Sequence, residues 1–207
     1  MNNKIIYLFL ILGMVLYMGA SANAVEGPTA QLKPTLKALT DILSDESLKG
    51  DGHRTERRTK VMTAIKIGFD FQEMSKRILG RTWNEIGADE QKLFTELMTK
   101  LLENVYIGKL ESYSGQQIEY LEERIKGDRA QVTTNVDNRG VKIPMHYILN
   151  LSGSKWMVYD INIEGVSLVR NYMEQFKTIL RKEKFTGLIK VLEEKNRSFE
   201  TVKKEGT

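Results

Sequence analysis

Apolar residues recur at three- and four-residue spacing over 27–45, where Leu32, Leu36, Leu39, Ile42 and Leu43 form one stripe, and this predicts an amphipathic helix. A polar connection through Lys49-Gly50-Asp51-Gly52-His53 follows, then a weakly amphipathic helix over 55–67 and a short one over 71–79. The strongest helical pattern covers 88–113. Phe94, Met98, Leu102 and Tyr106 make one row, and Leu93, Leu97, Leu101 and Val105 make the adjacent one. Asp89 and Glu90 fall in its first turn, where carboxylates suit the helix dipole.

The period then changes to two. Ile118 and Tyr120, then Ala130, Val132, Thr134 and Val136, then Ile143, Met145, Tyr147, Leu149 and Leu151, then Met157, Tyr159, Ile161 and Ile163 alternate with more polar neighbours. Gly127-Asp128, Asn138-Arg139-Gly140 and Ser152-Gly153-Ser154 separate these runs as turns. Alternation stops at Glu164-Gly165. Ser167 is placed to cap a helix over 167–182, in which Leu168, Tyr172, Met173, Phe176, Ile179 and Leu180 recur at helical spacing, and a second helix covers 185–194. The expected class is α+β, a four-stranded antiparallel meander packed against several helices. One domain is expected over about 25–195, with helices over about 27–113, the sheet over about 116–164 and C-terminal helices over about 167–194. Residues 196–207 read as a polar, frayed tail.

Residues 1–24 fit a cleaved secretory signal. Lys4 opens it, an apolar run extends from Ile5 to Ala20, and Ala22-Asn23-Ala24 offers small residues for cleavage between Ala24 and Val25. An uncleaved anchor is the alternative, but the run is short and broken by Gly13 and Gly19. The chain has no cysteine, so disulfides, thiolate sites and lipidation at cysteine are excluded. Its net charge of +4 comes from mixed charges and not from a basic cluster, so nucleic acid is not an expected partner.

Catalytic signatures are sparse. The two histidines, His53 and His146, neighbour no nucleophile elbow, and Gly165-Val166-Ser167-Leu168-Val169 lacks the second glycine of one. No metalloprotease, phosphate-loop, calcium-loop or dinucleotide motif occurs. Asp160 and Glu164 stand four apart and suggest a carboxylate pair, but bonds to turn amides are the preferred reading. No enzymatic activity, metal or cofactor is expected.

Two stretches carry a family resemblance. Trp156 to Phe176 reads WMVYDINIEGVSLVRNYMEQF, and Phe69-Asp70-Phe71 is followed in order by Leu79-Gly80-Arg81-x-Trp83, Glu90-Gln91, Phe94, Leu101-Leu102, Tyr106, Leu110 and Tyr113-x-Gly115-Gln116. This succession resembles the MlaC, or toluene-tolerance, family of periplasmic phospholipid shuttles. The resemblance implies a mixed fold with a nuclear-transport-factor-like (cystatin-like) portion enclosing a lipid pocket, and a monomer without a cofactor. It also implies a phospholipid ligand and two partners, an outer-membrane lipoprotein–porin complex and an inner-membrane ABC transporter bearing an MCE-domain ring. A hopanoid or other hydrophobic cargo, or an interaction module with a filled core, remains the alternative.

On that resemblance, the residues expected against lipid are Phe71, Met74, Ile78, Leu97, Met98 and Leu101 on the helices. Met145, Tyr147, Leu149, Tyr159, Ile161 and Ile163 are expected on the strands. Gly80 and Gly165 are expected as hinges or as turns needing positive φ. Trp83 and Trp156 are expected as buried anchors. The cluster Arg170, Lys177, Arg181, Lys182 and Lys184 is expected as a helix-dipole and solubility feature or a docking face.

Overall fold

Polar turns fold the middle of the chain into an antiparallel sheet. The computed structural model describes residues 25–205 apart from 112, 114 and 139. The expected signal segment and Ala24 lie outside the described residues, and Val25 is exposed. The sheet holds β1 (Ile118–Lys126), β2 (Arg129–Asn138), β3 (Val141–Ser152) and β4 (Lys155–Ile163) in chain order, and a two-residue β5 (Val166–Ser167) extends the expected meander by one strand. Gly127 (φ 63°) and Gly153 (φ 61°) open two of the tight turns. In the β4–β5 turn both central residues, Glu164 (φ 51°) and Gly165 (φ 87°), are left-handed, as a two-residue hairpin with matched twist requires.

Five α-helices complete the described fold: α1 (Pro28–Ser44), α2 (Arg54–Gly68), α3 (Phe71–Leu79), α4 (Ala88–Glu111) and α5 (Leu168–Glu205). Side chains set their ends. Asp70 caps α3 by accepting the Glu73 N–H at 2.8 Å, and Gly80 closes it at φ 57°, ψ −120°, a conformation suited to glycine. Ser167 caps α5 by accepting the Arg170 N–H at 3.0 Å. The carboxylate of Asp160 accepts hydrogen bonds from the Ser167 hydroxyl at 2.6 Å and the Val169 N–H at 3.0 Å. Asp160 therefore works as a fastening between β4 and α5, and Glu164 lies apart in the exposed turn.

Helix α5 is interrupted at Lys184 (φ 61°, ψ −171°), which separates 168–183 from 185–205. Here the chain departs from expectation. Helix continues past residue 195 through the stretch read as a frayed tail, because Asn196 is buried and Phe199 packs on the core. The Asn196 amide donates to the Leu97 carbonyl at 2.9 Å and accepts from Asn104 at 3.1 Å. One buried and one partly buried residue in a polar stretch hold the helix.

The interior forms two apolar clusters. The first joins α1 and α2 to one sheet face through Leu32, Leu36, Val61, Val132, Leu149 and Val158. The second joins α3, the first half of α4 and α5 through Ile78, Trp83, Phe94, Met98, Phe176 and Leu188. Trp156 belongs to the first cluster, so both tryptophans are buried. The link from α2 to α3 crosses the β4 edge. Phe69 pairs in parallel with Val158, and the Asp70 N–H donates to the Val158 carbonyl at 2.8 Å, covering an otherwise open strand.

Candidate apolar binding cavity

Between the sheet and the second half of α4 lies a cavity of about 710 Å³, inside the range of about 300–1,000 Å³ usual for ligand sites. Its floor is the sheet. Antiparallel register sets Val136 opposite Ile143, Met145 opposite Ile163, and Tyr147 opposite Ile161, and all six of these side chains line the space. Its roof and sides come from Leu36, Leu39 and Leu43 on α1, Met62 and Ile65 on α2, and Leu102, Tyr106, Ile107 and Leu110 on α4. Phe69, Phe71, Met74 and Leu168 close the end nearest α3 and α5. Polar lining is confined to Thr40, Glu103, Lys109 and Gln116, apart from tyrosine hydroxyls.

Six of the twelve residues expected against lipid meet here: Phe71, Met74, Met145, Tyr147, Ile161 and Ile163. Ile78, Leu97, Met98 and Leu101 do not line the cavity and instead form or flank the second cluster. The physical reason lies in the length of α4. Its apolar rows run unbroken, but the first half meets α3 and α5 and is filled, whereas the half from Leu102 onward faces open space. Leu149 is fully buried in the first cluster, paired with Ala130 and Val158.

Tyr159 is displaced by a β-bulge. Pairing runs Tyr147 with Ile161, Ile148 with Asp160, then Leu149 with Val158, so β4 has one extra residue beside Ile148. The bulge reverses the alternation. Trp156 and Val158 share the core face with Ile161 and Ile163, and Tyr159 turns to meet Arg77 of α3. Neither Gly80 nor Gly165 lines the cavity; each occupies a positive-φ turn at the end of an element.

Most of the roof was not anticipated, including α1, α2, Phe69 and Ile107. Leu102, Tyr106 and Ile143 stood in the apolar rows and strand phase already noted. No periodic signal separates an apolar side chain that fills a core from one that borders a void.

Tyr147 is the principal polar group of the floor. Its hydroxyl lies 3.8 Å from the Met145 sulfur, a weak acceptor, with Thr134 beside it, and burial pushes its pKa far up. Tyr106 and Tyr113 are raised too, chiefly by burial. Tyr113 closes one end of the cavity by donating to the Gln116 carbonyl at 2.9 Å. Beyond it a smaller, more polar groove of about 420 Å³ continues past Lys37, Asp41, Ser44 and Gln117. His146 lies outside the cavity with Gln131 and Thr133. Among the described residues no group of three or more His, Asp or Glu is placed to hold a metal ion, and no helix is long and apolar enough to cross a membrane. The arrangement is fitted to enclose an apolar molecule.

Known proteins share this architecture. A family model described as MlaC protein matches residues 33–194. The intermembrane phospholipid transport system binding protein MlaC of Haemophilus influenzae is 26% identical over 162 residues, which are 74% of this chain and 74% of that protein. The solved structure of a phospholipid-binding protein from Ralstonia solanacearum, in complex with a phospholipid, aligns with a TM-score of 0.75 at 25% identity, covering 84% of this chain and 99% of that one.

Proposed function

The chain belongs to the MlaC family, and from that membership we propose that it is a periplasmic phospholipid carrier. The observation that carries the reading is the cavity of about 710 Å³ with an almost wholly apolar lining. Moving an acyl chain into water costs about 0.8 kcal/mol per methylene, so a two-chain lipid cannot cross an aqueous compartment unaided. The cavity supplies an apolar medium, and the headgroup stays at the polar rim. Phe71, Met74, Met145, Tyr147, Ile161 and Ile163 are the proposed chain contacts, and the flexible thioethers of Met74 and Met145 suit chains of differing length. The names of the relatives support this cargo: one is a phospholipid transport binding protein and the other was solved with a phospholipid.

In this reading residues 1–24 are removed on export and the protein works in the periplasm, without covalent chemistry. It exchanges lipid with an outer-membrane lipoprotein–porin complex and an inner-membrane MCE-domain ABC transporter, and so maintains the lipid asymmetry of the outer membrane. Native mass spectrometry of the protein purified from periplasm tests the cargo. The expected result is phospholipid bound to a chain beginning at Val25. A bound hopanoid changes the cargo, and a chain that never takes up lipid overturns the carrier.

A further inference from the structure

Helices α2 and α4 face each other across the cavity, with Met62 and Ile65 on one side and Tyr106 and Leu110 on the other. Charge fastens them together. Arg57 Nη2 lies 3.2 Å from Glu111 Oε1, and Arg54 Nε lies 3.7 Å from Glu111 Oε2. Two turns back along α4, Glu103 pairs with Arg58, which also donates to Asn104. Arg54 is about half exposed, at 51%, but the other pairs are withdrawn from the surface. The side chains of Arg57, Arg58, Glu103 and Glu111 are 14%, 11%, 15% and 14% exposed.

Both sides of this seam are anchored. Arg57 donates to the Leu48 carbonyl, which ties it to the connection between α1 and α2. On the opposite side Asn104 bonds Asn196, and Asn196 bonds the Leu97 carbonyl, which ties the acidic partners to α5 and the second cluster. The seam therefore joins the two halves of the molecule where the cavity divides them. Glu103 is itself a lining residue.

Desolvated ion pairs are an expensive way to hold two helices closed, since well-packed apolar residues usually do as well or better. They differ in what happens on opening. Separated ions regain their hydration, whereas a separated apolar seam exposes its whole area to water. A charged seam across an apolar cavity thus lowers the barrier to a reversible gap between α2 and α4. We propose that Arg54, Arg57 and Arg58 with Glu103 and Glu111 form a clasp that sets how often the cavity opens. The lipid half of this inference, that the clasp governs release of cargo, rests on the carrier reading above; the opening itself does not.

The absence of cysteine makes the opening measurable. A single Ile107→Cys places a thiol at a lining position that is 5% exposed, and its labelling by a water-soluble disulfide reagent reports opening with or without cargo. In that background Glu111→Gln is expected to speed labelling at least tenfold. Glu111→Asp, which keeps the charge that Arg54 and Arg57 face, is expected to retain most of the original rate. Glu174→Gln, which breaks the exposed Lys177–Glu174 pair at 3.5 Å, is expected to change nothing. Transfer of a fluorescent phosphatidylethanolamine to phosphatidylcholine vesicles should accelerate in parallel with labelling. An unchanged labelling rate in Glu111→Gln overturns the clasp, and so does an equal acceleration in Glu111→Asp. Labelling that follows the clasp in a protein that neither holds nor transfers phospholipid overturns the carrier and leaves the clasp standing.

Discussion

The guanidinium of Arg77 lies 4.1 Å from the centre of the Tyr159 ring, fastening α3 to β4 at a point that borders the second cluster and not the cavity. Arg77 is held in place by Glu73, at 2.7 Å one turn earlier on the same helix. The contact depends on the bulge beside Ile148, which turns Tyr159 out of the floor and towards α3.

Replacing Tyr159 by Leu should therefore cost stability and spare cargo. Loss of the cation–π contact is worth about 0.5–2 kcal/mol, readable as a lower urea midpoint. The amount of co-purified lipid should stay at the wild-type level. A Tyr159→Leu protein of normal stability that has lost its lipid would place this ring in the cavity after all.

Leu149 and Ile161 are two apolar residues of neighbouring strands with opposite expected behaviour. Ile161 borders the cavity, and an Ile161→Asn side chain there keeps contact with the open space, so it should lower lipid content with little change in thermal midpoint. Leu149 is fully buried in packed core, and Leu149→Asn should destabilise the fold by about 3–5 kcal/mol through lost packing and an unpaired amide. Parallel mass spectrometry and chemical denaturation distinguish the two.

Asp160 joins the sheet to α5 through the Ser167 hydroxyl and the Val169 N–H. Asp160→Ala removes both charge-assisted bonds and should cost about 2 kcal/mol, and Ser167→Ala, which loses a cap, about 1 kcal/mol. Because the two residues share one network, the double variant should lose less than the sum, which a double-mutant cycle measures.

Truncation after Lys195 removes the buried Asn196 and the partly buried Phe199 from their packing. The cut should lower stability by about 2 kcal/mol or more, since it leaves the Leu97 carbonyl and the Asn104 amide without these partners. A shortened chain with an unchanged thermal midpoint would return this segment to the status of a tail.

Burial raises the pKa of Tyr147 and, with some help from Tyr106, pushes that of Tyr172 up to about 12. A phenol whose pKa is higher folded than unfolded favours the fold below the unfolded value, near pH 10, and this contribution is lost as pH rises beyond it. Absorbance titration should show the half-buried phenols of Tyr106, Tyr113 and Tyr120 ionising first. Tyr147 and Tyr172 should follow only near or with alkaline unfolding, and stability should fall progressively above about pH 10. Ionisation of all six tyrosines that follow Ala24 near pH 10 in a protein that is still folded would refute the burial.

Local chemistry in the sequence was sufficient for most of the elements, though not for β5 or the helix beyond residue 195. Period-two runs between glycine turns could only be strands, the rows through Phe94 and Leu97 could only be a helix, and Ser167 stood ready to cap α5. Tertiary structure decided what those elements enclose. Met98 and Leu102 are successive members of one apolar row, yet Met98 is packed by α3 and α5 while Leu102 also borders the void, because apolarity records a preference for leaving water and not whether the space beside it is filled. The bulge that moved Tyr159 arises from register between two strands, a property neither strand possesses alone. Likewise Arg57 and Glu111 are ordinary helix-surface charges until the fold carries α2 across the cavity from α4 and leaves each the other's nearest compensation.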